Sequence, residues 1–197
     1  MIYKKELKQK YDVDVFIAGG GPSGFAAATA CARQGKSVFL AESRGSFGGA
    51  GTVGMVPAFM CFGDGVNFLA GGIGREIRDA LYSDRSNNAY GYAIHAETLK
   101  RLYDNMAVEA GFHFSFFTTL SDVIVSNGRI EYAVISSKSG MYLIKAKVFI
   151  DATGDGDLCV WAGAQYELGD QNQNTMPATL CLSLIHISEP TRLALIS

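Results

Sequence analysis

The sequence predicts an α/β fold, a Rossmann-like parallel sheet into which an antiparallel β-meander is inserted. Three observations predict it. Val15 to Ala18 is a short apolar run without polar alternation, the pattern of a parallel strand covered on both faces. It leads straight into the glycine turn GGGPSG at 19–24 and an alanine-rich helical stretch, so strand, turn and helix follow one another as in a βαβ unit. Further along, Asn127-Gly128 and Ser139-Gly140 punctuate apolar runs, and Asn-Gly in that setting is a strong hairpin signal.

Taken in order, residues 1–12 (MIYKKELKQKYD) read as a solvated lead-in. In the turn, Gly19 allows the tight bend, Gly21 lets backbone approach a pyrophosphate, and Gly24 lets the next helix lie close on the sheet. Free N–H groups near Ser23 and Gly24, aided by the helix dipole, would attract that anion. Ser37 to Ala41 forms the second strand. Glu42 follows roughly twenty residues after the glycines, where an acid can accept both ribose hydroxyls of a dinucleotide's AMP half. Such an acid repels a 2′-phosphate.

Residues 44–74 are too glycine-rich for one regular element, and long irregular stretches inside compact domains are usually functional. Ile73 to Leu81 has helical spacing, with Ile73, Ile77 and Leu81 on one face. Asp84 to Tyr92 reads as an exposed connection. A second helix is expected over Ala96 to Ala110, striped by Leu99, Leu102, Met106 and Ala110 and stopped by Gly111. Phe112 to Phe117 would be the third parallel strand. Asp122 to Val125, Ile130 to Ser136 and Tyr142 to Ala146 make the meander, and Val148 to Ile150 returns to the parallel sheet before DATGDGD at 151–157.

The 197 residues, 48% hydrophobic and 18% charged, suit one domain or a domain with part of another. A formal charge of -2 carries no nucleic-acid footprint. No apolar run approaches a membrane span, and the charged N-terminus is not a secretory signal. Cys31, Cys61, Cys159 and Cys181 show no CxxC, so no metal site and no disulfide framework is indicated; buried free thiols in a cytoplasmic protein are expected. His95, His113 and Cys61 are assigned structural places, and no catalytic residue is identified.

Together GGGPSG at 19–24, ESR at 42–44, FGGAGT at 47–52, GGIGREI at 71–77 and AKVFIDATGDGDL at 146–158 resemble the FAD-dependent oxidoreductases with a glutathione-reductase-type FAD domain. The resemblance implies a Rossmann-like three-layer FAD-binding domain over 13–170, with the meander at about 121–147. It implies that Gly19, Gly21, Pro22, Ser23 and Gly24 line the pyrophosphate and that Glu42 holds the adenosine ribose. Ser43 and Arg44 would lie beside the adenosine and phosphates. Gly48, Gly49 and Thr52 correspond to a loop passing the pyrophosphate and ribityl chain, where glycines permit close approach and a hydroxyl can donate. Leu120 would meet adenine through its backbone, and Ala152, Thr153, Gly154 and Asp155 match a second FAD-contacting turn. The implied activity is hydride transfer between a small organic substrate and FAD. An NAD-dependent dehydrogenase and a non-catalytic nucleotide-binding module remain alternatives.

The C-terminal end departs from this pattern. Residues 171–181 resemble the start of a substrate region, truncated here. Leu182 to Arg192 (LSLIHISEPTR) looks like a translated transposase adapter from sequencing-library preparation, which makes 182–197 an artefactual tail and the domain incomplete at its C-terminus. The alternative is a genuine strand over Leu180 to Ile187. His186 is given no role.

Overall fold

The computed structural model describes residues 4–64, 66–82, 90–179 and 181. The proposed tail and the alternative strand at its start therefore lie almost wholly outside the described residues. Eight strands and four α-helices follow one another along the chain: β1 (Lys8–Ala18), α1 (Pro22–Arg33), β2 (Val38–Ala41), β3 (Ala58–Cys61), α2 (Ile73–Tyr82), β4 (Tyr90–Ala93), α3 (Ala96–Ala110), β5 (His113–Ser115), β6 (Thr119–Ser126), β7 (Arg129–Ser137), β8 (Gly140–Asp151) and α4 (Asp157–Trp161).

Six of the strands form one mixed sheet in the order β5-β2-β1-β8-β7-β6. Strands β5, β2, β1 and β8 run parallel to their neighbours, while β6, β7 and β8 pair antiparallel. The apolar run Val15 to Ala18 is explained by the two faces of this sheet. Val15, Ile17, Val38 and Leu40 point to one side and pack with Phe25 and Ala28 of α1, Ile77 of α2, and Leu99 and Tyr103 of α3. Phe16, Ala18, Phe39 and Ala41 point to the other and pack with Leu120, Val123, Ala133, Ile135 and Ile144 of the meander and Leu158 of α4. A strand buried from both sides has no solvent face on which to place polar residues. Helices α1 to α3, the parallel part of the sheet, and the meander strands that continue it, with α4 against them, are the three layers.

Three expectations change. The lead-in is not all irregular: Lys8, Gln9, Lys10 and Asp12 are exposed, yet β1 begins at Lys8, and Lys8 to Asp12 pair with Tyr142 to Lys145. The last meander strand and the returning parallel strand are one twelve-residue strand, β8, antiparallel to β7 in its first half and parallel to β1 along its length. The glycine-rich stretch and the connection after α2 also meet. Ala58, Phe59 and Cys61 pair antiparallel with Ala93, Tyr92 and Tyr90 in a two-stranded sheet, while 83–89 lie outside the described residues.

The helices end as the sequence suggests. His95 caps α3, its ring accepting from the Thr98 N–H at 3.4 Å, and Gly111 closes the helix at φ 73°, where a side chain would be strained. His113 lies in β5 beside Phe39, so both histidines have structural places. Among the described residues no helix is long and apolar enough to cross a membrane.

Candidate functional site

A cleft of about 470 Å³ opens at the C-terminal ends of β1, β2 and β8. The chain leaves β1 toward β2 on one side, and β8 returns on the other, so this is the topological switch point at which parallel α/β sheets bind ligands.

One wall is the phosphate turn. Gly19 stands at φ 97°, and a Cβ there would come 2.2 Å from the Ala152 carbonyl oxygen. Gly21 is the N-cap of α1, with no side-chain cap, and Pro22 opens the helix. The N–H groups of Ser23 and Gly24 have no acceptor among the described residues, whereas Phe25 N–H already bonds Gly21. The start of α1 therefore offers free donors and the positive end of a helix dipole to the cleft.

The second wall comes from β2. Glu42 is buried and lines the cleft. One carboxylate oxygen accepts from Gly20 N–H at 2.6 Å, and the other accepts from Arg44 N–H at 2.6 Å. The oxygen held by Gly20 keeps a lone pair, and the other also accepts from the Ser43 hydroxyl at 3.3 Å, a long bond that one hydroxyl of a cis-diol could replace. Gly20, a position the fingerprint leaves open, is thereby a hinge pin: its N–H is held by Glu42, and its carbonyl accepts from Gly48 N–H at 2.9 Å. Ser43 and Arg44 line the rim, and the Arg44 guanidinium has no partner among the described residues.

The FGGAGT loop divides into residues that face the cleft and residues that hold it. Gly49 lines the cleft, with Ala50 beside it. Phe47 is fully buried among Phe25, Phe112, Phe114 and Phe116, with ring centroids 4.8 to 6.1 Å away. Thr52 is also buried, and its hydroxyl donates to the Phe47 carbonyl at 2.6 Å. The Thr52 proton expected to reach a ligand is directed here to the Phe47 carbonyl, where it closes the loop. Gly48 likewise turns inward, at φ 100° against Thr52 and Tyr103. Gly24 lies beneath the turn, where a Cβ would come 1.9 Å from the Gly19 carbonyl oxygen. Gly48 and Thr52 are supports outside the cleft lining; Gly24 is a support by its α-carbon, and only its N–H, free among the described residues, is left to the start of α1.

The third wall is the turn after β8. Ala152, Thr153, Gly154 and Asp155 all line the cleft. The Thr153 hydroxyl donates to Asp151 at 2.8 Å and accepts from the N–H groups of Gly156 and Asp157 at 3.0 and 3.1 Å. Its own N–H also goes to Asp151. Thr153 consequently has no donor left for a ligand. Burial pushes the Asp151 carboxyl up, yet the bonds from Cys159 N–H and from Thr153 hold it below the ordinary aspartate range. Partial desolvation and the Asp151 carboxylate push the Cys159 thiol up, so it is not an activated nucleophile. The expectation of buried thiols is corrected: Cys159 is exposed, and Cys31 and Cys181 are half-buried.

Leu120 lines the floor with its side chain buried. Ala41, Ala50, Thr118, Thr119 and Asp157 line the cleft as well and were not foreseen. Thr118 is placed there by its N–H, which bonds the Glu42 carbonyl at 2.9 Å, a pairing that leaves no local pattern. The backbone of Cys61 pairs with Tyr90 in the two-stranded sheet, and its thiol lies outside what the structure describes. No cluster of three or more metal-ligating side chains occurs among the described residues.

Against known proteins, residues 14–196 match the family model for FAD dependent oxidoreductases. The thiamine thiazole synthase of Thermococcus kodakarensis is 29% identical over 166 residues, which cover 78% of this chain and 62% of that protein. Among solved structures, Thermovibrio ammonificans THI4 superposes with a TM-score of 0.57 at 28% identity, over 76% of this chain and 61% of that one. A geranylgeranyl bacteriochlorophyll reductase-like protein from Thermoplasma acidophilum gives 0.61 at 21% identity, over 79% and 43%, a likeness of fold. The chain spans about three-fifths of the length of the thiamine thiazole synthases it matches.

Proposed function

The chain belongs to the FAD dependent oxidoreductase family, and from that membership we propose that its cleft grips the adenosine diphosphate half of FAD in an enzyme that oxidises or reduces a small organic substrate. The observation that carries this reading is the placement of Glu42. A buried carboxylate, fixed through both oxygens by backbone N–H groups, shares one cleft with the unsatisfied N–H groups that open α1. That pairing suits a ribose diol next to a pyrophosphate.

The residues present fit the group. Gly21 has open space where its Cβ would stand, so phosphate oxygens can approach the backbone. Ser23 and Gly24 would supply N–H donors, Arg44 an exposed cation at the rim, and Glu42 the diol acceptors. The backbone near Thr119 and Leu120 would meet adenine, and the Ala152–Asp155 turn would close the far side. When bound, FAD supplies the hydride chemistry; the protein orients it and excludes water. Glu42 would repel a 2′-phosphate. The family match supports the flavin reading over the nicotinamide alternative, and the free thiols of Cys31, Cys159 and Cys181 support a cytoplasmic setting.

The test is titration of this chain with FAD, ADP and 2′-phospho-ADP-ribose by calorimetry. FAD and ADP are expected to compete with affinities within about tenfold, because the adenosine half carries the binding, and the 2′-phosphorylated ligand to bind at least about 30-fold more weakly. FAD binding that ADP does not displace, or no binding of either ligand, would overturn this reading.

A further inference from the structure

Asp151 ends β8 one residue before the cleft-lining turn and does not itself line the cleft. Its carboxylate nevertheless organises that turn. One oxygen accepts from Thr153 N–H at 3.1 Å and from the Thr153 hydroxyl at 2.8 Å; the other accepts from Cys159 N–H at 2.9 Å, eight residues away. The Thr153 oxygen, oriented by that donation, then accepts from Gly156 and Asp157. Two side chains thus fix four backbone N–H groups and hold Gly154 and Gly156 at φ 92° and 77°.

The consequence is a division of labour within the turn. The N–H groups of Thr153, Gly156, Asp157 and Cys159 are consumed internally. Those of Gly154 and Asp155, both in the cleft wall, have no acceptor among the described residues. On the near side the turn is wedged against the phosphate loop: Ala152 N–H bonds the Ala18 carbonyl at 2.8 Å, and Gly19 has no room for a Cβ beside Ala152. A displacement of the turn would therefore reach the ligand, since neither side has slack.

Resting on the FAD reading of the cleft, we propose that Asp151 is a positioning residue for cofactor binding. It acts through Thr153 to set the Ala152–Asp155 turn so that Gly154 and Asp155 present their N–H groups to the bound dinucleotide. Asp151 touches no ligand. Its contribution is the shape of a wall.

The experiment is a double-mutant cycle on this chain, with ADP as the calorimetric probe and thermal melting of the free protein measured alongside. Asp151→Ala and Thr153→Val are each expected to raise the ADP Kd by about 10-fold or more, and the double variant to be no worse than about threefold beyond the weaker single. Thr153→Ser, which keeps the hydroxyl, should stay within about threefold of wild type, and Asp151→Asn, which keeps one acceptor, should fall between wild type and Asp151→Ala. Glu76→Gln, which breaks the distant ion pair with Arg33, is the control and should leave the ADP Kd unchanged. Additive losses in the cycle, or variants that melt lower yet bind ADP normally, overturn the proposal. If Asp151→Ala does not fold, Asp151→Asn with the two Thr153 variants carries the same decision: equal Kd for serine and valine overturns it. Absence of ADP and FAD binding by the wild-type chain would instead overturn the assignment of the cleft and take this inference with it.

Discussion

Substitution of Gly21 separates binding from folding, and the reason lies in the space around three glycines. A Cβ at Gly19 would stand 2.2 Å from the Ala152 oxygen on a backbone at φ 97°, and one at Gly24 would stand 1.9 Å from the Gly19 oxygen. Both collisions are with backbone, which cannot swing away. At Gly21 nothing lies within 4 Å, and its φ of -64° and ψ of -177° suit any residue. Gly21→Ala should thus cost the free protein little. Loss of glycine's unfolded-state freedom contributes about 0.4–1 kcal/mol of stability, and the poorer N-cap offsets it by a similar amount. The ligand meets a different situation, because the new methyl fills the space through which phosphate oxygens reach the N–H groups of α1. Losing one to two charge-assisted hydrogen bonds at about 1.5–3 kcal/mol each predicts at least about a 10-fold rise in Kd for ADP, and about 100-fold or more for Gly21→Val. Calorimetry with ADP and FAD reads the affinity, and a thermal melt of the free protein reads the fold. Gly24→Ala supplies the contrast: it should lower the melting temperature by several degrees, at about 2–4 °C per kcal/mol for a chain of this size. Gly21→Val that binds ADP within threefold of wild type would refute the phosphate-turn assignment, and Gly21→Ala that melts as low as Gly24→Ala would refute the steric argument.

Thr52→Val should lower the melting temperature by several degrees, because it leaves the buried Phe47 carbonyl without its 2.6 Å donor at a cost of about 1–3 kcal/mol; Thr52→Ser should retain most of the stability, and equal melting of valine and serine variants would contradict the hydroxyl's role. Thr29 presents the opposite case, a buried hydroxyl without a partner among the described residues. Thr29→Val is expected to stabilise the protein by about 1 kcal/mol in urea unfolding, and a loss of stability would show that the hydroxyl is satisfied in solution. Burial raises the Tyr103 phenol from 10 to about 12. Between those pH values the unfolded chain has lost a proton that the folded chain keeps, so stability falls as pH rises, by about 3 kcal/mol across the window. Tyr103→Phe should flatten that segment of the stability profile, and an unchanged slope would assign it to other groups.

The elements that were legible in the sequence share a physical property: their local pattern is imposed by one dominant constraint. Val15 to Ala18 is apolar because helices cover one face and the meander the other. Gly111 ends α3 because the backbone turns left-handed there. What escaped sequence reading is set by partners far along the chain. Lys8 to Asp12 are polar enough to pass for a lead-in, yet they form a strand because Tyr142 to Lys145 are presented beside them. Ala58 to Cys61 become a strand only by meeting Tyr90 to Ala93. The same distinction runs through the site. GGGPSG and FGGAGT mark loops at the cleft, but within each motif the residue type does not tell a facing position from a supporting one. Gly21 and Gly49 face the cleft, while Gly24 and Gly48 have no space for a side chain because protein atoms are already there. Thr52 and Thr153 both carry hydroxyls apt for a ligand, and both spend them on the protein. A motif position can therefore be required by the ligand or by the loop that receives it, and these requirements predict different phenotypes. Substitution at Gly21 should lose affinity at constant stability, and substitution at Gly24 or Thr52 should lose stability first. The glycine that a sequence comparison would rank beside its neighbours is the one whose replacement isolates the cofactor's contribution from the fold's.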